Sequence, residues 1–232
     1  MKKENRSIDT NQENTWCPGC LNFVTLATLK KVLKNLHDEG KIDLNSVVIV
    51  TDIGCGAKIY DYLNINAVYA LHGRVMPVAS GAKLANPKLT VIGFAGDGGT
   101  YSEGTNHLIH SARRNVGITM IVANNRVFAL TKGQPTATNA ESGNTLDGVA
   151  LAKQAGATFA VNASALDADT LEKALRKAIL HKGFSLVDII QPCLIFKNDM
   201  DWVREETIRI KNKGIPSGEK KAVWEEIIRK RL

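Results

Sequence analysis

The chain has 232 residues, 44% hydrophobic, 23% charged and 6% aromatic, which suits one large globular domain or one domain with an appendage. No apolar run reaches the length of a membrane span, and the opening MKKENRSIDTNQENT lacks the apolar core of a signal peptide, so a cytoplasmic protein is expected. The formal charge of +7 raises nucleic acid as a partner, but much of the excess sits in Ile208–Leu232, where bases mix with glutamates and aromatics do not interleave with them. A solvated or partner-facing helical tail is the better reading there, with neither nucleic acid nor a membrane as partner.

In chain order, residues 1–15 read as a flexible arm, and Trp16-Cys17-Pro18-Gly19-Cys20 as a compact turn. A helical pattern runs to about His37 and closes at Gly40. Ser46–Thr51 is a short buried strand ending on Asp52-Ile53-Gly54-Cys55-Gly56. Ala67–Leu71 is a further strand leading into His72-Gly73-Arg74, and Met76–Leu84 a helix of small residues. The aliphatic run Leu89–Ala95 is a buried parallel strand closed by Gly96-Asp97-Gly98. Ser102–Arg114 is helical, and the strand Val116–Ala123 ends on Asn124-Asn125. The turn-rich stretch Thr131–Asn144 is long for a loop inside an α/β domain, which points to a functional loop or lid. Two α/β units follow: helix Leu146–Gln154 with strand Ala157–Val161, then helix Ala168–His181 with strand Phe184–Ile190, which ends in Gln191-Pro192-Cys193. Two helices separated by Gly214–Gly218 finish the chain. The alternation predicts an α/β fold, a doubly wound, mostly parallel sheet with helices on both faces and sites at the carboxyl ends of its strands. Residues 16–200 form the main domain and 201–232 a C-terminal helical extension.

The chemistry concentrates between Gly96 and Asn125. A glycine turn at the end of a buried strand lets a polyanion approach the backbone, and the helix that follows aims free N–H groups at it. Asp97 in that turn suits a divalent cation bridging to phosphate oxygens, and Asn124-Asn125 can bring an amide oxygen to the same metal. The four cysteines are a Cys17/Cys20 CxxC pair plus Cys55 and Cys193, each of the latter just past a predicted strand. In a parallel sheet those ends share one edge, so the four thiols can converge, and the spacing is compatible with zinc or with a 4Fe–4S cluster.

Taken in order, WCPGC, DIGC, HGR, GDG, HLIHSARRN, NN with Val127 and Phe128, the TKGQ loop with its later threonine, and QPC resemble the thiamine diphosphate-binding beta subunit of the 2-oxoacid:ferredoxin oxidoreductases, which include pyruvate synthase and 2-oxoglutarate synthase. The likeness runs from about Trp16 to Asn198. It implies the thiamine diphosphate-binding fold, with Mg²⁺ held by Asp97, Asn125 and the main-chain carbonyl of Val127. The diphosphate would lie on Gly96, Asp97 and Gly98 with Asn124 beside it, within reach of Thr131 and Gln134. Cys17, Cys20, Cys55 and Cys193 would hold one 4Fe–4S cluster, and Lys58, His72 and Arg74 would fall in the cofactor and substrate region. His107, His110, Arg113 and Arg114 read as packing or interface residues.

The implied reaction is oxidative decarboxylation of a 2-oxoacid to acyl-coenzyme A and CO₂ with electrons passed to ferredoxin. The activating glutamate would come from an alpha subunit, so a hetero-oligomer is expected. Three departures from the family pattern stand out: Leu21 after CPGC in place of glycine, Gly99 in place of a second aspartate after GDG, and Lys132 in place of a glycine in the loop. The alternatives are a non-redox thiamine enzyme, which leaves four cysteines idle, and a zinc-stapled scaffold subunit, which leaves Asp97 and Asn125 idle.

Overall fold

Runs of aliphatic residues buried on both sides must lie in the middle of a layered sheet, and they do. In the computed structural model, which describes residues 7–229, six strands pair in parallel: β1 (Val47–Thr51), β2 (Asn66–Tyr69), β3 (Thr90–Gly96), β4 (Thr119–Asn124), β7 (Phe159–Ser164) and β8 (Ser185–Ile190). Their order is β2-β1-β3-β4-β8-β7. A separate antiparallel pair, β5 (Val127–Phe128) and β6 (Gln134–Pro135), stands in the loop after β4.

The strict alternation of side chains along each strand feeds two cores. On one face α1 (Asn22–Asp38) and α5 (Ala168–Leu180) place Leu29, Leu33, Leu171 and Leu175 over Ile49, Phe94, Ile121 and Val187. On the other, α2 (Val75–Ala85), α3 (Thr105–Arg113) and α4 (Gly148–Ala155) cover Val50, Val91, Met120 and Leu186 with Met76, Ala79, Leu108 and Ala152. This is the doubly wound sheet expected from the sequence. Ile92 faces Thr119 and Gly96 faces Ala123 in the register of β3 on β4, so Asp97 and Asn124 leave the sheet side by side.

Three expectations are corrected. Residues 7–15 form no helix or strand, but they are not a loose arm: Ile8 is buried and its carbonyl accepts the Asn64 N–H at 2.9 Å. Thr10 Oγ1 donates to the Asp61 carbonyl at 2.7 Å, and the Thr15 N–H donates to the Tyr62 hydroxyl at 3.0 Å. Residues 1–6 of that arm lie outside the described residues. The helix after the glycine turn begins earlier than Ser102, as a π-helical turn over Gly98–Glu103 that passes into α3. Such turns are rare and cluster at functional sites.

The C-terminal extension, α6 (Met200–Lys213) and α7 (Trp224–Arg229), is also less solvated than its charge implies. Val223 and Glu225 are buried, a Glu225 carboxylate oxygen accepts the Gly117 N–H at 3.3 Å, and the Arg114 guanidinium lies 5.2 Å over the Trp224 ring. No helix among the described residues is long and apolar enough to cross a membrane.

Asn115 shows how the layers are joined. Its φ of 50° is in the left-handed region, which Asn tolerates better than most side chains. Its Oδ1 accepts from the Phe184 N–H and the Thr158 hydroxyl, both at 2.8 Å, while Nδ2 donates to the Ala222 and Lys221 carbonyls at 3.2 and 3.3 Å. One amide thus ties the end of α3 to the starts of β7 and β8 and to the C-terminal segment. Asn115→Ala leaves buried partners unpaired and should destabilise by about 2–4 kcal/mol. A melting temperature within error of the parent would show that these bonds contribute nothing net.

Candidate active site

The chain runs from β1 outward to β2 and then returns to the other side of β1 as β3, so the carboxyl ends of β1 and β3 bound a topological switch point. Crevices open there in sheets of this kind. A cavity of about 160 Å³ lies at this place, lined by the turn Gly96–Gly99, by Cys55 and His72, and by Asn125, Phe128 and Gln191. The glycines are sterically required. A Cβ on Gly98 would collide with the Phe128 ring, and one on Gly99 would fall on Asp52 Oδ2.

Asp97 is 1% exposed. Its Oδ2 accepts from the Thr136 and Thr138 hydroxyls at 2.5 and 2.8 Å, and its Oδ1 from the Asn125 N–H at 3.3 Å. Burial pushes its carboxyl up, against those bonds. These donors are all neutral, so a hard cation beside Asp97 and the Asn125 Oδ1, which also accepts the Val127 N–H at 3.2 Å, would offset a costly buried carboxylate. Glycines without room for Cβ atoms, beside an anion site completed by a cation, fit a diphosphate. Orphaned buried polar atoms nearby, Gln191 Oε1 and Thr100 Oγ1, fit a polar occupant as well.

Behind Asp97 the network continues. Thr138 Oγ1 also lies 3.2 Å from Asn124 Oδ1, Asn124 Nδ2 donates to Asp188 Oδ2 at 3.2 Å, and the Tyr101 hydroxyl donates to the same oxygen at 2.7 Å. Burial, opposed by those two bonds, pushes Asp188 up to about 7. Asn124 therefore supports the site from behind and does not line the cavity.

The four cysteines are reduced, and their segments meet at the cavity edge. Trp16 Nε1 donates to the Cys55 carbonyl at 2.6 Å, and a Cβ on Gly19 would stand 3.3 Å from Leu194 Cδ1, one residue past Cys193. Burial raises the Cys20 thiol and, with smaller effect, so would negative charge on Cys17, Cys55 and Cys193. Among the described residues, however, no three His, Cys, Asp or Glu side chains are gathered around one point to hold a metal ion. The three segments that carry the four thiols come together at this edge, Cys17 and Cys20 on one, Cys55 and Cys193 on the others.

Among the remaining predicted residues, His72 lines the cavity and its Nδ1 lies 3.3 Å from Glu103 Oε2. Thr131 lines it too, and its hydroxyl donates to Gln134 Oε1 at 2.6 Å, while Gln134 itself stands outside the lining. Lys58 and Arg74 also lie outside it: Lys58 Nζ donates to Thr15 Oγ1 at 3.1 Å on the cysteine side, and Arg74 donates to the Gly73 carbonyl at 3.3 Å. His107, His110, Arg113 and Arg114 are on α3, away from the lining.

The departures acquire physical context. Leu21 packs against the core at the start of α1. Lys132 has φ 77°, where glycine is at ease, and Gly99 cannot carry a side chain beside Asp52. Thr136, Asp188 and Tyr101 had weak sequence signals. The best was Asp188, a carboxylate inside the apolar run SLVDII that had to find partners.

Residues 52–189 match the family described as "Thiamine pyrophosphate enzyme, C-terminal TPP binding domain". The 2-oxoacid:ferredoxin oxidoreductase subunit beta of Saccharolobus solfataricus is 36% identical over 230 residues, covering 94% of this chain and 72% of that one. The chain belongs to the beta-subunit family of the 2-oxoacid:ferredoxin oxidoreductases. Subunit beta of the Aeropyrum pernix enzyme 1 is 37% identical, covering 83% of this chain and 63% of its own length. The chain thus spans about two thirds of the curated beta subunits it matches. A solved structure of 2-oxoglutarate:ferredoxin oxidoreductase from Magnetococcus marinus, with 2-oxoglutarate, coenzyme A and succinyl-CoA bound, superposes with a TM-score of 0.86 at 25% identity, over 99% of this beta-subunit chain and 91% of that one.

Asp188 makes the site's supporting network sensitive to pH. Its carboxyl ionises at 3.8 when unperturbed and at about 7 in the fold. Between those values the folded chain keeps a proton that the unfolded chain has released. Stability therefore falls as pH rises from about 4 to about 7 and levels off above, by on the order of 2–4 kcal/mol for this group. Asp188→Asn should remove that share, flattening the profile of melting temperature between those pH values, and a profile as steep as the parent's would assign the slope to other groups.

Proposed function

We propose that this chain is the thiamine diphosphate-binding beta subunit of a 2-oxoacid:ferredoxin oxidoreductase, which converts a 2-oxoacid such as pyruvate or 2-oxoglutarate and coenzyme A into acyl-coenzyme A and CO₂ and passes electrons to ferredoxin. One observation carries the reading: Cys55 lines the same cavity as the turn Gly96–Gly99, and the segments bearing Cys17, Cys20 and Cys193 meet beside it. A polyanion and cation site and a thiol set suited to an electron carrier share one wall. A non-redox thiamine enzyme has no use for that adjacency.

When bound, thiamine diphosphate supplies an electron sink for decarboxylation, and a 4Fe–4S cluster a one-electron outlet. The chain's own residues would hold these groups. Gly96, Gly98 and Gly99, which carry no Cβ, would leave room for the diphosphate, and Asp97, Asn125 and the Val127 carbonyl would supply oxygens to Mg²⁺. Thr136 and Thr138 fix Asp97 by donating to its Oδ2. Cys17, Cys20, Cys55 and Cys193 would hold the cluster; burial raises the Cys55 thiol, and the charge of Lys58 opposes that. His72, tethered to Glu103 at the rim, and the Thr131 hydroxyl face the space left for substrate. The activating carboxylate would come to this face from an alpha subunit.

The test is co-expression with the partner subunit under anaerobic conditions, followed by 2-oxoacid-dependent reduction of a dye with and without coenzyme A. Activity that needs coenzyme A is the expected result. A complex with full iron and thiamine but no such activity would sink the oxidoreductase reading. Asp97→Ala should lose thiamine diphosphate and Mg²⁺ while keeping its iron and brown colour, whereas Cys20→Ser should lose iron and keep thiamine. Zinc in place of iron in the parent complex would favour a scaffold role.

A further inference from the structure

Asp52 has no part in the assignments above, yet its carboxylate is wholly buried beside the cavity. Oδ2 accepts the Gly73 N–H at 3.2 Å, Oδ1 has no partner, and the residue is 0% exposed. The backbone closes around it from three directions. A Cβ on Gly99 would fall on Asp52 Oδ2, 3.2 Å from its Cγ and 3.4 Å from His72 Nε2. A Cβ on Gly73 would stand 2.7 Å from the Glu103 Cβ, and one on Gly104 would collide with the Gly99 carbonyl and stand 3.2 Å from that of Gly73. The turn bearing His72 and the glycine turn therefore both meet the Asp52 carboxylate, and the end of the π-helical turn packs tightly on the His72 turn.

A side chain at position 99 and an aspartate at position 52 compete for one volume. The Asp52 carboxylate cannot yield easily, because it is the acceptor of the buried Gly73 N–H. Conversely, with glycine at 52, a carboxylate borne on residue 99 would start where Oδ2 now lies and extend into the vacated space.

We propose that Asp52 and Gly99 are an exchangeable pair: Asp52 is a positioning residue whose carboxylate, delivered from the end of β1, holds the His72–Gly73 turn against the glycine turn. An aspartate at 99 does the same work once residue 52 is glycine. The effect on cofactor retention rests on the reading of the cavity under Proposed function, whereas the packing does not.

The experiment uses the complex with the partner subunit and reads two quantities: thiamine diphosphate affinity and melting temperature. Gly99→Asp alone should weaken affinity by about tenfold or more and lower the melting temperature, since it drives a side chain onto a pinned carboxylate. Asp52→Ala should weaken affinity to a similar degree, by orphaning the Gly73 N–H and releasing the His72 turn. Asp52→Asn keeps an oxygen for that N–H and should stay within about threefold of the parent. The double variant D52G/G99D should return to within about threefold as well.

A double variant no better than the weaker single variant overturns the exchange. An unimpaired Asp52→Ala, or an Asp52→Asn as damaged as Asp52→Ala, overturns the positioning role. A parent complex that binds no thiamine diphosphate defeats the cofactor reading alone. Melting temperatures still decide the pair, which then must show two damaged single variants and a repaired double.

Discussion

The arrangement depends on a carboxylate placed where water cannot reach it. Asp97 sits at the end of a central strand, 1% exposed, and accepts two hydroxyls and one backbone N–H. Neutral donors compensate a buried anion only in part, so burial pushes the carboxyl up. The loop after β4 folds back to supply the two threonines, and this return explains why the chain spends a long stretch there. The pair β5/β6 sets the register of that return.

A second constraint is space. Cβ atoms are missing where the backbone must approach a ring, a carboxylate or a ligand, at Gly98 against Phe128 and at Gly99 against Asp52. These glycines concern close approach, not a special φ. The π-helical turn that starts at Gly98 belongs to the same solution, since widening the first turn leads the chain off the strand without closing the cavity. Buried polar groups then keep the turn in place: Tyr101 reaches back to Asp188, and Asp188 to Asn124. Polar networks of this kind specify one arrangement at some expense of stability.

The cysteines illustrate how a parallel sheet gathers distant residues. Cys55 follows β1 and Cys193 follows β8, while Cys17 and Cys20 precede α1, which packs across one face. Because all six strands run one way, their carboxyl ends share one edge, and the hydrogen bond from Trp16 to the Cys55 carbonyl draws the CxxC turn to that edge. The cysteine-bearing segments and the glycine turn are neighbours as a result of strand direction.

By itself the sequence determined the fold class, the order of elements, the glycine turn with Asp97 and Asn125, and the cysteine set, because these are local: continuous aliphatic runs, short motifs and spacing along one chain. The likeness of GDG, NN and WCPGC to one family was legible for the same reason. Only the tertiary structure decided that Asn124 turns away from the cavity, that Thr136 and Thr138 hold Asp97, that Lys58 and Arg74 stand outside the lining, and that residues 7–15 are tied down. Those outcomes rest on contacts between residues tens of positions apart, such as Asp52 with Gly73 and Asn115 with Phe184. No propensity or motif encodes which of several polar side chains wins a buried partner; the packing of the two helical layers on the sheet does.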